Sequence, residues 1–454
     1  TGGARDLPAR QRTMRDAISW SYDLLDAEER RLFARLALFA GGGTLEAIEA
    51  ICAQDAHEAD AVLERAMALL NNNLLARDMA DDHEDGAGER GPRLRMLEPI
   101  RQYAAERLAE SDDREALRRR HAEYFLSFTE GARSEQAIWL RRIEREHDNL
   151  RAALGWAFER ADDTARLTTG LRLASALWWF WEVRGYLAEG RAWLERGLSA
   201  GADVPAELRA AACYGLGALA IRQRDYAAAD AFYGESLALS RALGDGTGVA
   251  RALTTLGEVA LRRGELARAR GLLTESLALK HGLGDAPGVA DALNIAGLVA
   301  RDAGDDGEAR ALFEESLALM RELEQRWGVL IVLGNLGHLT LRQGDDARAA
   351  ALLYESLGLA QELGAKWSIA YCLEGLAAAA AGRGAIERAA RLWGAAEALR
   401  AAIDAPVPPN LAPHYEAQVA AARLRADERA WEAAWAAGRA LPLEDAVSEA
   451  LEAV

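Results

Sequence analysis

The feature that most constrains this chain is an internal repeat of 40 residues. Aligned at that period, LTTLGEVALRRGELARARGLLTESLALKHGLGD is followed by LNIAGLVARDAGDDGEARALFEESLALMRELEQ and LGNLGHLTLRQGDDARAAALLYESLGLAQELGA. Self-similarity at a fixed period of this size indicates a stack of like supersecondary units. One unit cannot bury its own apolar faces, so neighbours stack into a superhelix with a concave surface. We therefore predict a mainly α-helical chain whose function is binding.

Small residues at fixed phases predict a helical hairpin in each unit. One glycine row lets the paired helices approach closely, and an alanine row twelve residues later does the same from the other side. These rows are Gly217, Gly257, Gly297 and Gly337, and Ala229, Ala269, Ala309, Ala349 and Ala389. A second glycine row, Gly264, Gly304, Gly344 and Gly384, is placed to end each first helix in a left-handed C-cap.

The first third of the chain has a different pattern, without the 40-residue period. Asp26 and Glu29 form a capping-box pair at the start of a helix, and Thr44 is placed to cap a second one. A third helix and two short strands are predicted over Ala59–Leu70, Leu74–Met79 and Arg93–Leu97. Three helices followed by a strand pair around an acidic loop is the order of a winged helix.

Several segments resemble a known family. RTMRDAISWSYDLLDAEERRLFARLALFAGG, LLNNNLLARD and RLRMLEPIRQYAAERL look like the winged helix that follows the nucleotide-binding core in bacterial STAND-type signal-transduction NTPases and LuxR-type regulators. EREHDNLRAALGWAFERAD is also similar to those proteins. The repeat resembles a 40-residue variety of the tetratricopeptide repeat (TPR), with Leu256-Gly257, Ala269 and Phe313 at signature phases.

The resemblance implies a mainly α protein, with a winged-helix domain followed by an α-α superhelical TPR solenoid. Its expected divisions are a winged-helix-like domain with linker over 1–112, a helical connector with a degenerate first repeat over 113–208, about five 40-residue repeats over 209–403, and capping helices over 404–454. It implies a sensor arm that binds a protein, a peptide or a small-molecule inducer in its groove. A free-standing TPR scaffold for protein assembly is the alternative.

The chain offers no nucleotide-binding or catalytic motif. A phosphate-binding loop needs glycines that lead into Lys and Ser or Thr, yet Lys280 and Lys366 follow Leu279 and Ala365. The histidines are scattered, and no nucleophile elbow or metal-ligand spacing occurs. We predict a non-enzymatic chain without catalytic residues, cofactor or metal, and expect any NTPase domain of the parent protein upstream of Thr1, as a further partner.

Charge and composition argue against nucleic acid and membrane partners. The formal net charge is -17, from 71 acidic and 54 basic residues. The expected recognition helix offers Arg65 beside Asp60 and Glu64, so DNA binding by the winged helix is the less favoured alternative. Three cysteines far apart, and no run of 18 apolar residues, predict a cytoplasmic protein.

Candidate binding residues follow from the repeat phase, because the first helix of each unit lines the concave face of such solenoids. The predicted groove residues are Tyr214, Arg251, Thr254, Glu258, Asp291, Asn294, Arg301, Asn335, His338, Arg342, Tyr371 and Glu374. Trp178, Trp179 and Trp181 form an aromatic run at the start of the solenoid. Core packing is one interpretation of that run, and an apolar hot spot for a partner is the other.

Overall fold

The computed structural model describes residues 9–53, 55–78, 93–131, 136–160, 162–200 and 204–451. It divides into two compact units, one that ends at Ala176 and one that begins at Leu177. The predicted fold class is confirmed, since the described chain is mainly helical. The stretch 113–208, which we grouped as one connector, is shared between the two units.

The first unit begins with the winged-helix elements. They are α1 (Ala9–Asp23), α2 (Ala27–Leu36), α3 (Leu45–Cys52), α4 (Ala56–Asn71), β1 (Ala76–Asp78), β2 (Arg93–Arg95) and α5 (Glu98–Ala109). The capping box is present, because Asp26 accepts from the Glu29 backbone N–H and Glu29 accepts from that of Asp26. The Thr44 side chain caps α3, and the two strands are antiparallel. The predicted acidic loop lies outside the described residues.

The remaining helices of this unit are α6 (Arg114–Glu130), α7 (Gln136–Arg145), α8 (His147–Ala157) and the start of α9 (Thr164–Arg184). A buried polar network ties β2 to the α7–α8 junction. The Arg93 guanidinium donates to the carbonyls of Gly41 and Gly42, each at 2.9 Å, and pairs with the Glu146 carboxylate. Asn149 donates to Gly42 O and to Glu146 Oε2, at 2.9 and 2.6 Å.

The second unit is a row of helical hairpins. After the end of α9 come α10 (Leu187–Ser199), α11 (Ala206–Arg222), α12 (Tyr226–Leu243), α13 (Gly246–Arg262), α14 (Leu266–Leu283), α15 (Ala286–Asp302), α16 (Asp306–Glu322), α17 (Arg326–Arg342), α18 (Asp346–Leu363), α19 (Lys366–Gly382) and α20 (Ile386–Ala402). Helices α11 to α20 pair as five hairpins at the 40-residue period.

The small residues of the repeat act as the sequence predicts. A Cβ added to Gly297 would lie 2.6 Å from the Phe313 ring, so only glycine lets these two helices pack at this distance. Gly264, Gly304, Gly344 and Gly384 all have positive φ, as their left-handed caps require. A row of serines bonds across four of the five hairpins: the Oγ atoms of Ser236, Ser276, Ser316 and Ser356 donate to carbonyls 26 residues earlier, at 2.7–3.0 Å.

The C-terminal end contains three helices, α21 (Ala412–Arg423), α22 (Glu428–Ala440) and α23 (Leu443–Leu451). Helix α22 packs directly on α20. Gly394 of α20 and Gly438 of α22 mark the crossing, where each glycine faces the backbone of the opposite helix. Trp393 and Trp431 are buried there, so α22 covers the last apolar face of the hairpin row.

Candidate ligand-binding site

The end of α9 contacts the last two hairpins of the second unit, which closes the row. Arg184 Nη1 donates to Leu363 O at 2.6 Å across 179 residues of sequence. Trp179 and Trp327 meet edge to face with ring centroids 5.9 Å apart. Gly185 packs so tightly on the Ile403 side chain that an added Cβ would lie 2.8 Å from it. We call these contacts the seam; the inner helices α11, α13, α15, α17 and α19 line the space inside the row.

This space, which we call the chamber, is a cavity of about 220 Å³. Aromatic rings form much of its wall, and they interlock with basic side chains. Arg222 lies over the Trp367 ring at 4.8 Å, and Arg251 lies over the Tyr214 ring at 4.3 Å. The other aromatic lining residues are Trp178, Tyr233, Trp327 and Tyr371.

The chamber wall contains two ion pairs, and within each pair the two charges neutralise each other. Arg222 Nε donates to Glu182 Oε1 at 2.7 Å, and Arg262 Nη2 donates to Glu258 Oε1 at 3.0 Å. Burial raises the pKa of Glu182 despite the opposing charge of Arg222. For Glu258 burial acts in the same sense, but Arg262 and Arg222 outweigh it and hold the pKa below its usual range. These four side chains form the structural part of the wall.

Lys280 lies behind the wall as a buried ammonium group. Its Nζ donates to Thr254 Oγ1 at 2.8 Å and to Gly288 O at 2.9 Å. Thr254 Oγ1 is also 2.7 Å from Ser276 Oγ. Burial lowers the pKa of Lys280, and the charge of Asp291 opposes that effect. The lysine thus gives the chamber a positive charge, and its ammonium group donates its hydrogen bonds to uncharged oxygens.

Arg251 and Asp291 hold the same repeat phase on the neighbouring helices α13 and α15, and both line the chamber. Within the described residues, the Arg251 guanidinium and the Asp291 carboxylate form no hydrogen bond or ion pair. Both residues are exposed to solvent. The surrounding protein nevertheless desolvates Asp291, which raises its pKa to about 6 although Lys280 acts in the other direction. A cation and an anion without partners therefore face the same space.

Substitution of Asp291 by Asn is expected to stabilise the chain at pH 7.5 but not at pH 4. The folded state takes up a proton near pH 6, whereas the unfolded state does so near 3.8, so the ionised carboxylate costs stability above pH 6 and the cost disappears as the pH falls toward 4. The measurement is the difference in Tm between the variant and the parent at both pH values. An equal difference at the two pH values, or a less stable variant at pH 7.5, would contradict this interpretation.

A second cavity of about 130 Å³ lies beside the chamber. Its inner wall comes from α15, α17 and α19, and its outer wall comes from the proline-rich segment after α20 and from α21. The lining residues are Arg301, Asp302, His338, Arg342, Tyr371 and Glu374, with Val407, Asn410, Leu411, His414, Tyr415 and Gln418. Asn410 Nδ2 donates to Asp302 Oδ2 at 2.9 Å, so the C-terminal segment lies across this part of the concave face.

The polar groups of the second cavity are mostly engaged with each other. Arg400 forms a buried two-point pair with Glu374, with Nη2 and Oε2 at 2.8 Å. His338 stacks on the Tyr371 ring with centroids 3.9 Å apart, and burial lowers the pKa of this histidine to about 3. The imidazole is therefore neutral at physiological pH. This arrangement favours a structural role for these residues over a binding role.

The structure brings most of the predicted groove residues to one of the two cavities. The chamber receives Trp178, Tyr214, Arg251, Thr254, Glu258, Asp291, Asn294, Asn335 and Tyr371. The second cavity receives Arg301, His338, Arg342, Tyr371 and Glu374. Trp179 belongs to the seam, and Trp181 is fully buried against Gly190 and lines neither cavity. The binding role of these residues stays a prediction.

Some lining residues were missed in the sequence. Arg222 and Arg262 share a phase with the predicted Arg342, and that phase could have identified them. Lys280 lies on the second helix of its hairpin, a helix that the groove prediction left out. Trp327 and Trp367 share a phase on first helices, one turn before the phase of Tyr371, which could also have identified them. Glu182 reaches the chamber because the row closes, and no local pattern indicates that closure.

The described residues include neither a cluster of metal-ligating side chains nor a helix that is long and apolar enough to cross a membrane. Two family models match the chain. The winged helix-turn-helix domain matches residues 25–109, and the tetratricopeptide repeat matches residues 208–281. Both families are of non-catalytic kinds.

Among curated proteins, one from Mycobacterium tuberculosis that is named an HTH-type transcriptional regulator is 36% identical over 196 residues. That match covers 42% of this chain and 21% of the relative, so it spans about a fifth of the relative's length. An uncharacterised protein from the same organism is 33% identical over 124 residues, which is 27% of this chain and 30% of that protein.

Solved structures with a similar chain fold include a STAND protein with a tetratricopeptide repeat sensor from Pyrococcus horikoshii. It is 13% identical, has a TM-score of 0.43, and the match covers 97% of this chain and 65% of that one. A Rap protein complexed with Competence and Sporulation Factor is 14% identical with a TM-score of 0.46, over 77% of this chain and 96% of that one. The two family matches confirm the predicted domains: the chain joins a winged helix-turn-helix domain to a tetratricopeptide-repeat solenoid.

Proposed function

We propose that this chain is the non-catalytic sensor and regulatory arm of a STAND-type signal-transduction NTPase or transcriptional regulator, and that its chamber binds the inducer. The observation that carries the proposal is this cavity, which Arg251 and Asp291 both line without an ion-pair partner in the described residues. The protein around Asp291 desolvates its carboxylate, and a desolvated charge without a partner reduces stability unless a ligand supplies the opposite charge.

Ligand binding in the chamber can regulate the parent protein if it is coupled to the arrangement of the hairpin row. A ligand that fills the chamber contacts several hairpins at once, so it binds one arrangement of the row more tightly than another. The difference in binding free energy between those arrangements sets how far the ligand can shift the equilibrium of a switch elsewhere in the parent protein. We place that switch in a nucleotide-binding domain outside this sequence, and a cytoplasmic location accords with this role.

The winged helix is proposed to dock on protein. The expected recognition helix is α4. On it, Leu63 and Met67 lie one turn apart and are 52% and 50% exposed, beside the exposed Asp60 and Glu64. Arg65 pairs with Glu28 at 3.5 Å. An apolar, acidic helix face suits a protein partner and repels phosphates. Submicromolar binding of a mixed-sequence duplex, with a steep salt dependence, would contradict this interpretation and support the DNA-binding alternative.

Filling the chamber tests the sensor proposal. We expect the small-molecule fraction of a bacterial lysate, separated by dialysis, to raise the Tm of the full chain, since a ligand at about 100 times its Kd adds about 2.7 kcal/mol. Thr255→Trp, which places an indole in the chamber, should abolish that shift. Thr274→Trp is the matched control, because Thr274 is exposed on α14 and, like Thr255, bonds to the carbonyl four residues earlier.

The control variant should respond as the parent does. A parent chain that the small-molecule fraction fails to stabilise would contradict the sensor proposal. Stabilisation of parent and Thr255→Trp alike would place the ligand outside the chamber. The scaffold alternative instead predicts stable complexes with protein and no effect of small molecules.

A further inference from the structure

The volume of the chamber limits the size of what it can hold. Inner helices of the row and the end of α9 line the chamber, which is partly open to solvent. Its volume of about 220 Å³ is below the range of about 300–1,000 Å³ that is typical for drug-sized ligands. The occupant that fits is a small molecule.

The charges left over in the chamber define the chemistry of that molecule. Glu182 is satisfied by Arg222, and Glu258 is satisfied by Arg262. Lys280 already donates to two oxygen acceptors. What remains is one guanidinium and one carboxylate, Arg251 and Asp291, on helices that pack against each other.

Each of these two groups selects a complementary ligand group. A guanidinium presents a planar fork of donors that matches a carboxylate at two points, and stacking on Tyr214 holds that fork in place. A lone carboxylate attracts a protonated amine, and an ammonium group is also stabilised over tryptophan faces such as those of Trp178 and Trp327. Neighbouring helices lie about 8–10 Å apart. One short molecule can therefore reach both groups.

Building on the proposed sensor function, we propose that the chamber is a site for a small amino-acid-like zwitterion, with its carboxylate at Arg251 and its protonated amine at Asp291. The aromatic wall packs against the body of the molecule between its two charged ends. Asp291 is ionised above its pKa of about 6, so the site is complete at neutral pH. A ligand with only one charged end would leave the opposite group unpaired.

The test is calorimetric titration of the full chain at pH 7.5 with each free proteinogenic amino acid, with its N-acetyl derivative and with its amide. The N-acetyl derivative lacks the charged amine, and the amide lacks the carboxylate. We expect at least one free amino acid to bind about tenfold or more tightly than both of its derivatives. Arg251→Gln should reduce its affinity to that of the amide, and Asp291→Asn to that of the N-acetyl derivative. Arg241→Gln, which removes an exposed pair with Glu275, should have no effect.

Three results would overturn the proposal: no free amino acid binds at millimolar concentration, a derivative binds as tightly as its parent amino acid, or the two variants lose affinity for all three forms equally. The lysate experiment separates this failure from that of the sensor proposal. If the small-molecule fraction stabilises the parent but no amino acid binds, the sensor function stands and the ligand is of another class. If neither stabilises it, both proposals fail.

Discussion

Replacement of Glu146 by Gln is expected to destabilise the first unit by about 3–5 kcal/mol, because it leaves the buried Arg93 guanidinium without its counter-charge. Both side chains are 6% exposed. The Arg93 side chain also holds the carbonyls of Gly41 and Gly42, so its displacement would loosen the turn before α3.

The adjoining backbone provides a direct readout. The amides of Gly43 and Leu94 donate to each other's carbonyls, both at 2.9 Å, next to this ion pair. Their hydrogen exchange should accelerate by about a hundredfold or more, because every 1.4 kcal/mol corresponds to a factor of about ten. Asp78→Asn is the control, since its pair with Arg95 is exposed and 3.9 Å long and is worth at most about 1 kcal/mol. Unchanged exchange at Gly43 and Leu94 would refute the prediction.

Replacement of Gly438 by Val should have a comparable effect at the other end of the chain. A Cβ at this position would lie 2.0 Å from Arg391 O, and one at Gly394 would lie 2.2 Å from Trp435 O. Both obstacles are backbone atoms, which cannot move aside as a flexible side chain does. We expect a loss of at least about 3 kcal/mol and the release of α22 from α20.

Release of α22 would expose Trp393 and Trp431, which are buried at that contact. The measurement is chemical denaturation of the full chain, together with proteolysis after α20. Gly271→Ala is the matched control: nothing lies within 4 Å of its added Cβ, so the helix should gain about 0.5–1 kcal/mol. A Gly438→Val chain as stable and as resistant to protease as the parent would contradict the proposed crossing.

The local features of this architecture, such as helix caps and repeat phase, could be predicted from the sequence. Gly264 and its row could be assigned to left-handed caps because few other residues adopt positive φ at low cost. Arg251 and Asp291 could be placed on the concave face because the phase of a repeat is the same in every unit. In the first unit, the capping box at Asp26 and Glu29 correctly marked the start of α2.

The features that depend on accumulated geometry were not predictable. The curvature of a solenoid sums a small rotation at each repeat, so the meeting of Trp179 with Trp327 is not encoded near either residue. Trp178 and Trp181 lie one turn apart on α9, yet only the former lines the chamber, because packing on Gly190 fixes the latter. The return of Asn410 to Asp302 likewise joins residues that are 108 positions apart.

The seam also affects how this protein unfolds. An open array of repeats frays from its two ends, where each terminal unit has a single neighbour. Here the end of α9 contacts the last two hairpins, so fraying of the N-terminal end must first break the contact of Arg184 with Leu363, and fraying of the C-terminal end that of Ile403 with Gly185. Loss of repeats one at a time should therefore give way to a cooperative transition. During synthesis, the contact of Arg184 cannot form until residue 363 has been made, so the row closes only after its fourth hairpin is complete.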